Sequence, residues 1–436
     1  MTDHCRFSYD FHPVGQGLFA SGALFANPDF AARPITPQWS GCCFQWVYDC
    51  GTSSSQTQLR QRILELPLYG ERRDRLGLVT ISHFDNDHVS GIPTLLSNFA
   101  VDTLLLPYIP LWKRLLLAFK EGVGPGDEPM GFFVNPAAYL TAIPGSDITR
   151  IVFVSTGGQA EPTQPGGPPG PPQVLHDTLH IQFDSDHPHD PADLPFPTGA
   201  AAKTQVAFLK GGGTLRIPGF WEFVPYNDEV EVEMEHTFQT AVDASRQRLL
   251  TTAAPEERGT ALAELKQLYD DQFGNTSEER NAISLFLYAG PVYPAWDLTR
   301  PLAAVVWRPD FPNPHIGLRT VARLRRGPLP QCSILYAGDG YLDMPDRLAR
   351  MAGFFGRLRI ERLGAFQVMH HGARGNWHKG VAQALAPEFS IFSSDPNHKR
   401  LRHPHPPVLR DFWGYSPIQV DSQQGASLSG YMAHPR

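Results

Sequence analysis

The stretch Ser82-His83-Phe84-Asp85-Asn86-Asp87-His88-Val89-Ser90-Gly91 decides how this chain is read. It sets His83, Asp85, Asp87 and His88 within six positions. The apolar run before it, residues 76–81 (LGLVTI), reads as a buried strand. Gly91 and Pro93 then open a turn into a short helix. Four ligand-type side chains therefore stand where a strand gives way to a loop. Sites in open α/β sheets form at such places, because loop side chains converge over a rigid base. On an extended segment His83, Asp85 and Asp87 point to one side, and His88 turns in where the helix begins. Imidazole nitrogen and carboxylate oxygen suit Zn2+ and Mn2+. The rival reading is a polar loop with chance histidines, and the density of ligand types after a buried strand disfavours it.

Working outward, residues 6–50 alternate like β-structure, with a tight turn at Gly15-Gln16-Gly17. The strand over 44–50 ends at Asp49, before a Gly/Ser loop. Residues 56–66 have helical spacing stopped by Pro67, residues 101–110 read as a strand, and 112–121 as a helix. Further strands are expected over 178–185, 221–227 and 281–291. Residues 331–340 form a strand that ends in Gly338-Asp339-Gly340, where the glycines allow close backbone approach. The strand beginning at Phe366 ends in His370 and His371. Residues 388–413 read as a strand, a polar loop and a helix opened by the His403-Pro404-His405-Pro406 run. For His403 three readings stay open: support for a ligand, contact with a substrate phosphate, or a helix start. His405 and Asn397 share them. This order of elements predicts an α/β fold with sheet layers and helices outside.

The bulk numbers bound the class. A chain of 436 residues is long for one domain and short for three. The 39 Gly and 41 Pro predict many loops. A net charge of −7 argues against a generally basic protein that coats nucleic acid, while leaving room for a local basic groove. The five cysteines are odd in number and irregularly spaced, which disfavours a disulfide framework and points to a reducing compartment. The N-terminus lacks a signal-peptide pattern, and no apolar run reaches the ~18 residues of a span. The expectation is a soluble cytoplasmic protein without a membrane partner. Three insertions interrupt the pattern: a Gly/Pro-rich loop over 122–175, two or three helices over 229–275, and a basic Pro-rich excursion over 292–330. These are where a protein partner would dock. His187 and His189 lie in a Pro-rich loop and read as solvent-exposed. Basic residues cluster at 319–326 (RTVARLRR) and 399–402 (KRLR). The second set, beside His403, could hold a phosphate backbone; a solvated loop is an equal reading. No GxxxxGK phosphate loop and no framed serine nucleophile is present.

His83-Phe84-Asp85-Asn86-Asp87-His88 resembles the HxHxDH hallmark of the metallo-β-lactamase superfamily, with Asp85 in place of the second histidine. That HxDxDH form is the one associated with the competence-type, ComEC-like branch. Other segments resemble that branch in order: VGQG (14–17), YDCG (48–51), NAISLFL (281–287), AGD (337–339), HHG (370–372), and Asn397 followed by HPHPPVL (403–409). The resemblance implies one metallo-β-lactamase-like domain over 1–436, an αββα four-layer sandwich with helical and loop insertions. It implies one or two Zn2+ or Mn2+ ions per chain. His83, Asp85 and a closing histidine would hold one ion, Asp87 and His88 the second, with Asp339 bridging. His370 is the first choice for the closing ligand and His371 the next. There are departures. The superfamily's middle histidine has no counterpart, and Tyr226 or Asn227 stands near its place. The branch's HHGS reads HHGA here, at Ala373, and its membrane channel region is missing, so a DNA-uptake channel is not implied.

The implied activity is that of a metal-dependent hydrolase, first a phosphodiesterase or nuclease using a metal-bound hydroxide. Its substrate would be nucleic acid or another phosphodiester. Asp87 would orient the nucleophile or accept its proton, and His403 would donate to a substrate oxygen. The competing expectations are a hydrolase of small esters, amides or thioesters, and a scaffold or regulatory partner with a degenerate metal site. Fold alone does not choose among them.

Overall fold

A strand that is apolar at successive positions needs cover on both faces. Residues 75–80 are such a strand, buried along all but the first residue. The computed structural model describes residues 4–26, 42–66, 74–120, 122–157, 179–181, 183, 203–229, 240–242, 244–245, 248, 255–273, 283–292, 297–309, 331–398 and 401–433. The strands, in chain order, are β1 (His4–Phe11), β2 (Phe19–Ala26), β3 (Cys42–Cys50), β4 (Arg75–Thr80), β5 (Ala100–Pro107), β6 (Ile148–Val154), β7 (His180–Ile181), β8 (Gln205–Phe208), β9 (Leu215–Ile217), β10 (Trp221–Glu229), β11 (Ile283–Pro291), β12 (Asp297–Trp307), β13 (Ser333–Tyr336), β14 (Leu363–Gln367), β15 (Phe389–Ser393), β16 (Pro417–Val420) and β17 (Gly425–Ala433).

Among the described residues these form two mixed sheets. The first runs β12-β17-β1-β2-β3-β4-β5-β6-β8, and the second β16-β15-β14-β13-β11-β10-β9-β7. Strands β3, β4, β5, β6 and β8 are parallel neighbours, as are β13, β14, β15 and β16. The remaining pairs are antiparallel, such as β1 with β17 and β10 with β11.

Three apolar clusters account for the layers. The middle one lies between the sheets and joins Phe7, Tyr9, Trp46 and Tyr48 of the first to Trp221, Phe223 and Tyr336 of the second. The Tyr9 and Tyr48 hydroxyls in this layer find partners, as buried tyrosines usually do, whereas Trp221 Nε1 is buried without a hydrogen bond among the described residues. The Tyr9 hydroxyl donates to Cys332 O at 2.6 Å and the Tyr48 hydroxyl to Leu285 O at 2.7 Å. The second cluster covers the outer face of the first sheet with helices at Gln56–Leu64, Ile92–Asn98, Leu111–Lys120 and Pro255–Phe273. The third covers the second sheet with helices at Pro345–Phe355, Val381–Leu385 and Pro406–Asp411. In Pro345–Phe355 the buried residues Leu348, Met351, Phe354 and Phe355 recur at helical spacing, which is why that segment is a helix with one face down. A buried ion pair fixes this outer layer: Arg359 Nε donates to Glu222 Oε1 at 2.8 Å and Nη2 to Oε2 at 3.0 Å.

The structure adds elements that the sequence reading left out. The stretch expected as a Gly/Pro-rich loop over 122–175 contains helices at Met130–Val134 and Pro136–Ala142 and the strand β6. The Pro/Arg-rich excursion contains β12, which pairs with β17. Residues 158–175 of that Gly/Pro-rich loop, His187, His189, the basic run 319–326 and Lys399–Arg400 lie outside the described residues. Among the described residues no helix is long and apolar enough to cross a membrane.

Candidate metal centre

The carboxyl ends of the parallel strands in both sheets meet at one edge. Asp49 is the penultimate residue of β3, and Ser82 and His83 follow β4. Asp339 follows β13, His370 and His371 follow β14, and Ser393 ends β15. A backbone bond ties the sheets together here: Leu285 N donates to Ser82 O at 2.8 Å. Others tie loops on the same side, His370 N to Gly338 O at 2.9 Å and Leu18 N to Asp87 O at 3.1 Å. The approach is so close that only glycine fits at Gly51, where an added Cβ would stand 2.5 Å from the backbone of Asp87 and His88. At Gly338 (φ 52) the same atom would stand 2.6 Å from Ser284 Oγ and 2.7 Å from Ser82 Oγ.

Hydrogen bonds orient every imidazole of the cluster through its Nδ1. Ser393 O is a carbonyl, so the His371 Nδ1 that meets it at 2.6 Å carries the proton. His88 Nδ1 donates to Asp49 Oδ2 at 2.8 Å. The Ser82 hydroxyl donates to that same oxygen at 2.6 Å, so it accepts from His83 Nδ1 at 2.7 Å. The Ser82 N–H donates to Asp49 Oδ1 at 2.7 Å. His370 Nδ1 meets Asn376 Oδ1 at 2.7 Å. Each Nε2 is thereby turned inward, and all four surround the Asp339 carboxylate. His88 Nε2 lies 3.0 Å and His371 Nε2 3.8 Å from Oδ1, while His370 Nε2 lies 3.5 Å and His83 Nε2 3.6 Å from Oδ2. Asp85 Oδ2 is 3.7 Å from His83 Nε2, and Asp87 Oδ2 is 3.1 Å from His371 Nε2.

The arrangement fits a divalent cation. The Nε2 atom of His83 is buried and makes no hydrogen bond among the described residues, which is costly unless something else satisfies it. Ligand-type atoms fall into overlapping groups: His83, Asp85 and Asp339; Asp87, His88 and His371; and Asp49, His83 and His88. Within each group they lie within 4.8 Å of one another. Nδ1 bonds to carboxylate, hydroxyl or carbonyl are the usual outer support of metal-ligating histidines. The side chains of His83, His88, His371 and Asp339 are buried, whereas Asp85, Asp87 and His370 are 15, 19 and 26 % exposed. The cluster therefore opens to solvent on the side of these three.

The charges are strongly coupled. Burial raises the Asp339 pKa, but the facing histidines, His370 and His88 foremost, outweigh it and hold the carboxyl well below its usual range. Asp87 is likewise lowered, by the His371 bond and by His88, against burial. Burial lowers His88 and His371, yet the neighbouring carboxylates prevail and raise both. His83 goes the other way, to about 3, from burial and the adjacent His88. The carboxylates thus favour protons on His88 and His371, and a cation bound here would compete with them.

Each ligand candidate singled out by sequence has a clear place. His83, Asp85, Asp87, His88, Asp339, His370 and His371 come together. His403 is buried beside them, its ring centroid 5.8 Å from that of His370 and 6.3 Å from that of His371. His405 caps the helix Pro406–Asp411, and its Nδ1 accepts from Arg374 N. Tyr226 and Asn227 do not replace the absent middle histidine. The Tyr226 hydroxyl meets Asp228 Oδ1 at 3.2 Å, and the Asn227 amide donates to Val154 O at 2.8 Å. Sequence reasoning missed Asp49 as a site residue. The only sequence signal was slight, that Asp49 closes an apolar strand as Asp339 does; its uncommon positive φ of 54° shows in the structure alone. Fold and site together define an α/β protein whose sheet edge holds a buried histidine–carboxylate cluster suited to a divalent ion. Neither the protein-family models nor the curated proteins include one that matches this chain.

Proposed function

We propose that this chain is a metallo-β-lactamase-like hydrolase that depends on a divalent cation, Zn2+ or Mn2+, and cleaves phosphodiesters. One observation carries the reading: four imidazole Nε2 atoms from two sheets surround the Asp339 carboxylate, with Asp85 and Asp87 on the open side. His83, Asp85, His370 and one oxygen of Asp339 would hold the first ion. Asp87, His88, His371 and the other oxygen would hold the second. Bound there, such an ion supplies Lewis acidity toward a phosphoryl oxygen and acidifies coordinated water.

The chain's own groups supply the rest. Asp87 is ionised and partly exposed, so it can accept a hydrogen bond from attacking water and orient it. His403 stays neutral at neutral pH, because burial and the nearby His371, His370 and His405 lower its pKa to about 3. A neutral ring offers a donor to a substrate oxygen without adding repulsion next to a cation. Arg402, exposed and adjacent to His403, favours an anionic substrate over a neutral ester.

The test is metal analysis of the purified protein, followed by assays with Mn2+ and Zn2+. The substrates are bis-p-nitrophenyl phosphate, single- and double-stranded DNA, and RNA, and the proteins are wild type, Asp87→Ala and His403→Ala. Cleavage that needs the cation and falls in both variants supports the reading. Bound cation without cleavage of any phosphodiester sinks it and shifts weight to small esters, amides or thioesters. Absence of bound cation shifts weight to a scaffold.

A further inference from the structure

Asn376 lies six residues beyond His370, in the Gly372-Ala373-Arg374-Gly375 turn region, and nothing in its sequence marks it as part of a site. Its side chain is nonetheless buried and uses both ends of its amide. The Nδ2 group donates to Asp339 O at 2.8 Å and approaches Gly340 O at 3.4 Å. With the nitrogen so engaged, the atom meeting His370 Nδ1 at 2.7 Å is the amide oxygen, which can only accept. The backbone of Asn376 is clamped as well. Its carbonyl accepts from Leu342 N at 2.8 Å, and Leu342 and Trp377 form a β-bridge. The amide therefore has little room to turn.

His370 needs such a partner. Its backbone stands at φ 44, ψ 50, a left-handed conformation that costs a non-glycine residue energy and aims its side chain unusually. Unlike the Nδ1 atoms of His83, His88 and His371, which are held from strand ends or residues beside them, that of His370 is held from this turn. We infer that Asn376 is a positioning residue. Its one amide fixes His370 with Nδ1 protonated and Nε2 facing Asp339, and ties down the Asp339–Gly340 backbone at the same time, so that imidazole and carboxylate present a single preformed half-site. This deepens, and in its metal-binding consequence rests on, the two-cation reading above.

The experiment has two readouts. The first is the side-chain nitrogen NMR spectrum of metal-free wild type, Asn376→Ala and Asn376→Asp at mildly alkaline pH. The second is calorimetric titration of each protein with Mn2+ and Zn2+. In wild type His370 should appear as the Nδ1–H form, and in Asn376→Ala as a mixture of tautomers. Asn376→Ala should bind one ion ~10–100-fold more weakly, the range typical for loss of such outer support, with the other ion unchanged. Asn376→Asp keeps the acceptor and loses the donor, so it should restore the His370 tautomer and recover part of the affinity. A simple packing role would not produce that rescue. A wild-type spectrum with His370 as the Nε2–H form overturns the inference, even if the variants fail to fold. Binding of both ions by Asn376→Ala as tightly as by wild type also overturns it. Wild type that binds no ion refutes the hydrolase reading instead, and the nitrogen spectrum still decides whether Asn376 orients His370.

Discussion

The two halves of the cluster reach the same carboxylate by opposite means. In the half that follows β4, His83 and His88 sit on ordinary backbone, and the unusual conformation is displaced onto their support, Asp49, at φ 54. In the half that follows β14, His370 and His371 themselves stand at φ 44 and φ 57, and their supports are an amide and a carbonyl. One half is oriented by a buried charge with several hydrogen bonds. The other is oriented by backbone strain held in place by neutral acceptors. The difference teaches that strain and charge are alternative ways to fix a ligand, and that each fails differently when mutated.

The largest effect is expected at Asp339, which both halves face. Asp339→Asn keeps the shape and removes the charge, and each ion should bind more than ~100-fold more weakly, beyond the usual cost of an outer-support loss. Calorimetry and metal analysis check this; loss of one ion alone would break the idea that the halves share a carboxylate. Next comes Asp49→Ala. It strips three hydrogen bonds from Ser82 and His88 and leaves buried polar groups unpaired, so the metal-free protein should lose ~3–5 kcal/mol in denaturant unfolding, as when one partner of a buried pair is removed. An unfolding curve like that of wild type would mean that the first half does not depend on its charge. Gly338→Ala should be milder. A methyl at φ 52, 2.7 Å from Ser82 Oγ, should cost ~1–3 kcal/mol and weaken ion binding through Ser82. Unchanged ion affinity would show that Ser82 tolerates displacement.

The subtlest contrast is in pH. His12, His83 and His403 have folded pKa values near 3, so the unfolded chain binds more protons than the native one below the ordinary 6.5, and stability falls as pH drops there. His88 and His371 are raised, so their stabilisation is full below 6.5 and is lost as pH climbs through their folded values. The metal-free protein should therefore have its highest melting temperature near ~6.5, the ordinary histidine pKa. Saturating Mn2+ should remove the alkaline limb by displacing those two protons. An alkaline limb that persists with bound cation would show that the protons lie elsewhere.

Much of this was legible in the sequence, for physical reasons. Strands β4, β11 and β14 are buried on both faces, so their apolar runs stand out, and the polar residues that end them mark the site edge. The helix Gln56–Leu64 follows from its spacing and its Ser55 cap. Asp49 and Asn376 were harder. Their importance lies in bonds to His88, 39 positions away, and to the Asp339 backbone, 37 positions away, which no local pattern encodes. The choice between His370 and His371 was also beyond sequence, because consecutive left-handed residues send both rings inward instead of alternating them. β12 was hidden by its arginine and proline, which an edge strand tolerates.

The layer of rings between the sheets has a consequence for chemistry. Tyr48 of the first sheet stacks on Tyr336 of the second at 4.6 Å, and Trp46 lies 5.2 Å from Phe223. Tyr48 precedes Asp49, and Tyr336 comes three residues before Asp339. These rings act as a spacer gauge: their thickness sets the gap across which the two sheets hold out their ligands. A change of ring size deep in the core would thus shift the spacing of the histidine–carboxylate cluster without touching any of its residues.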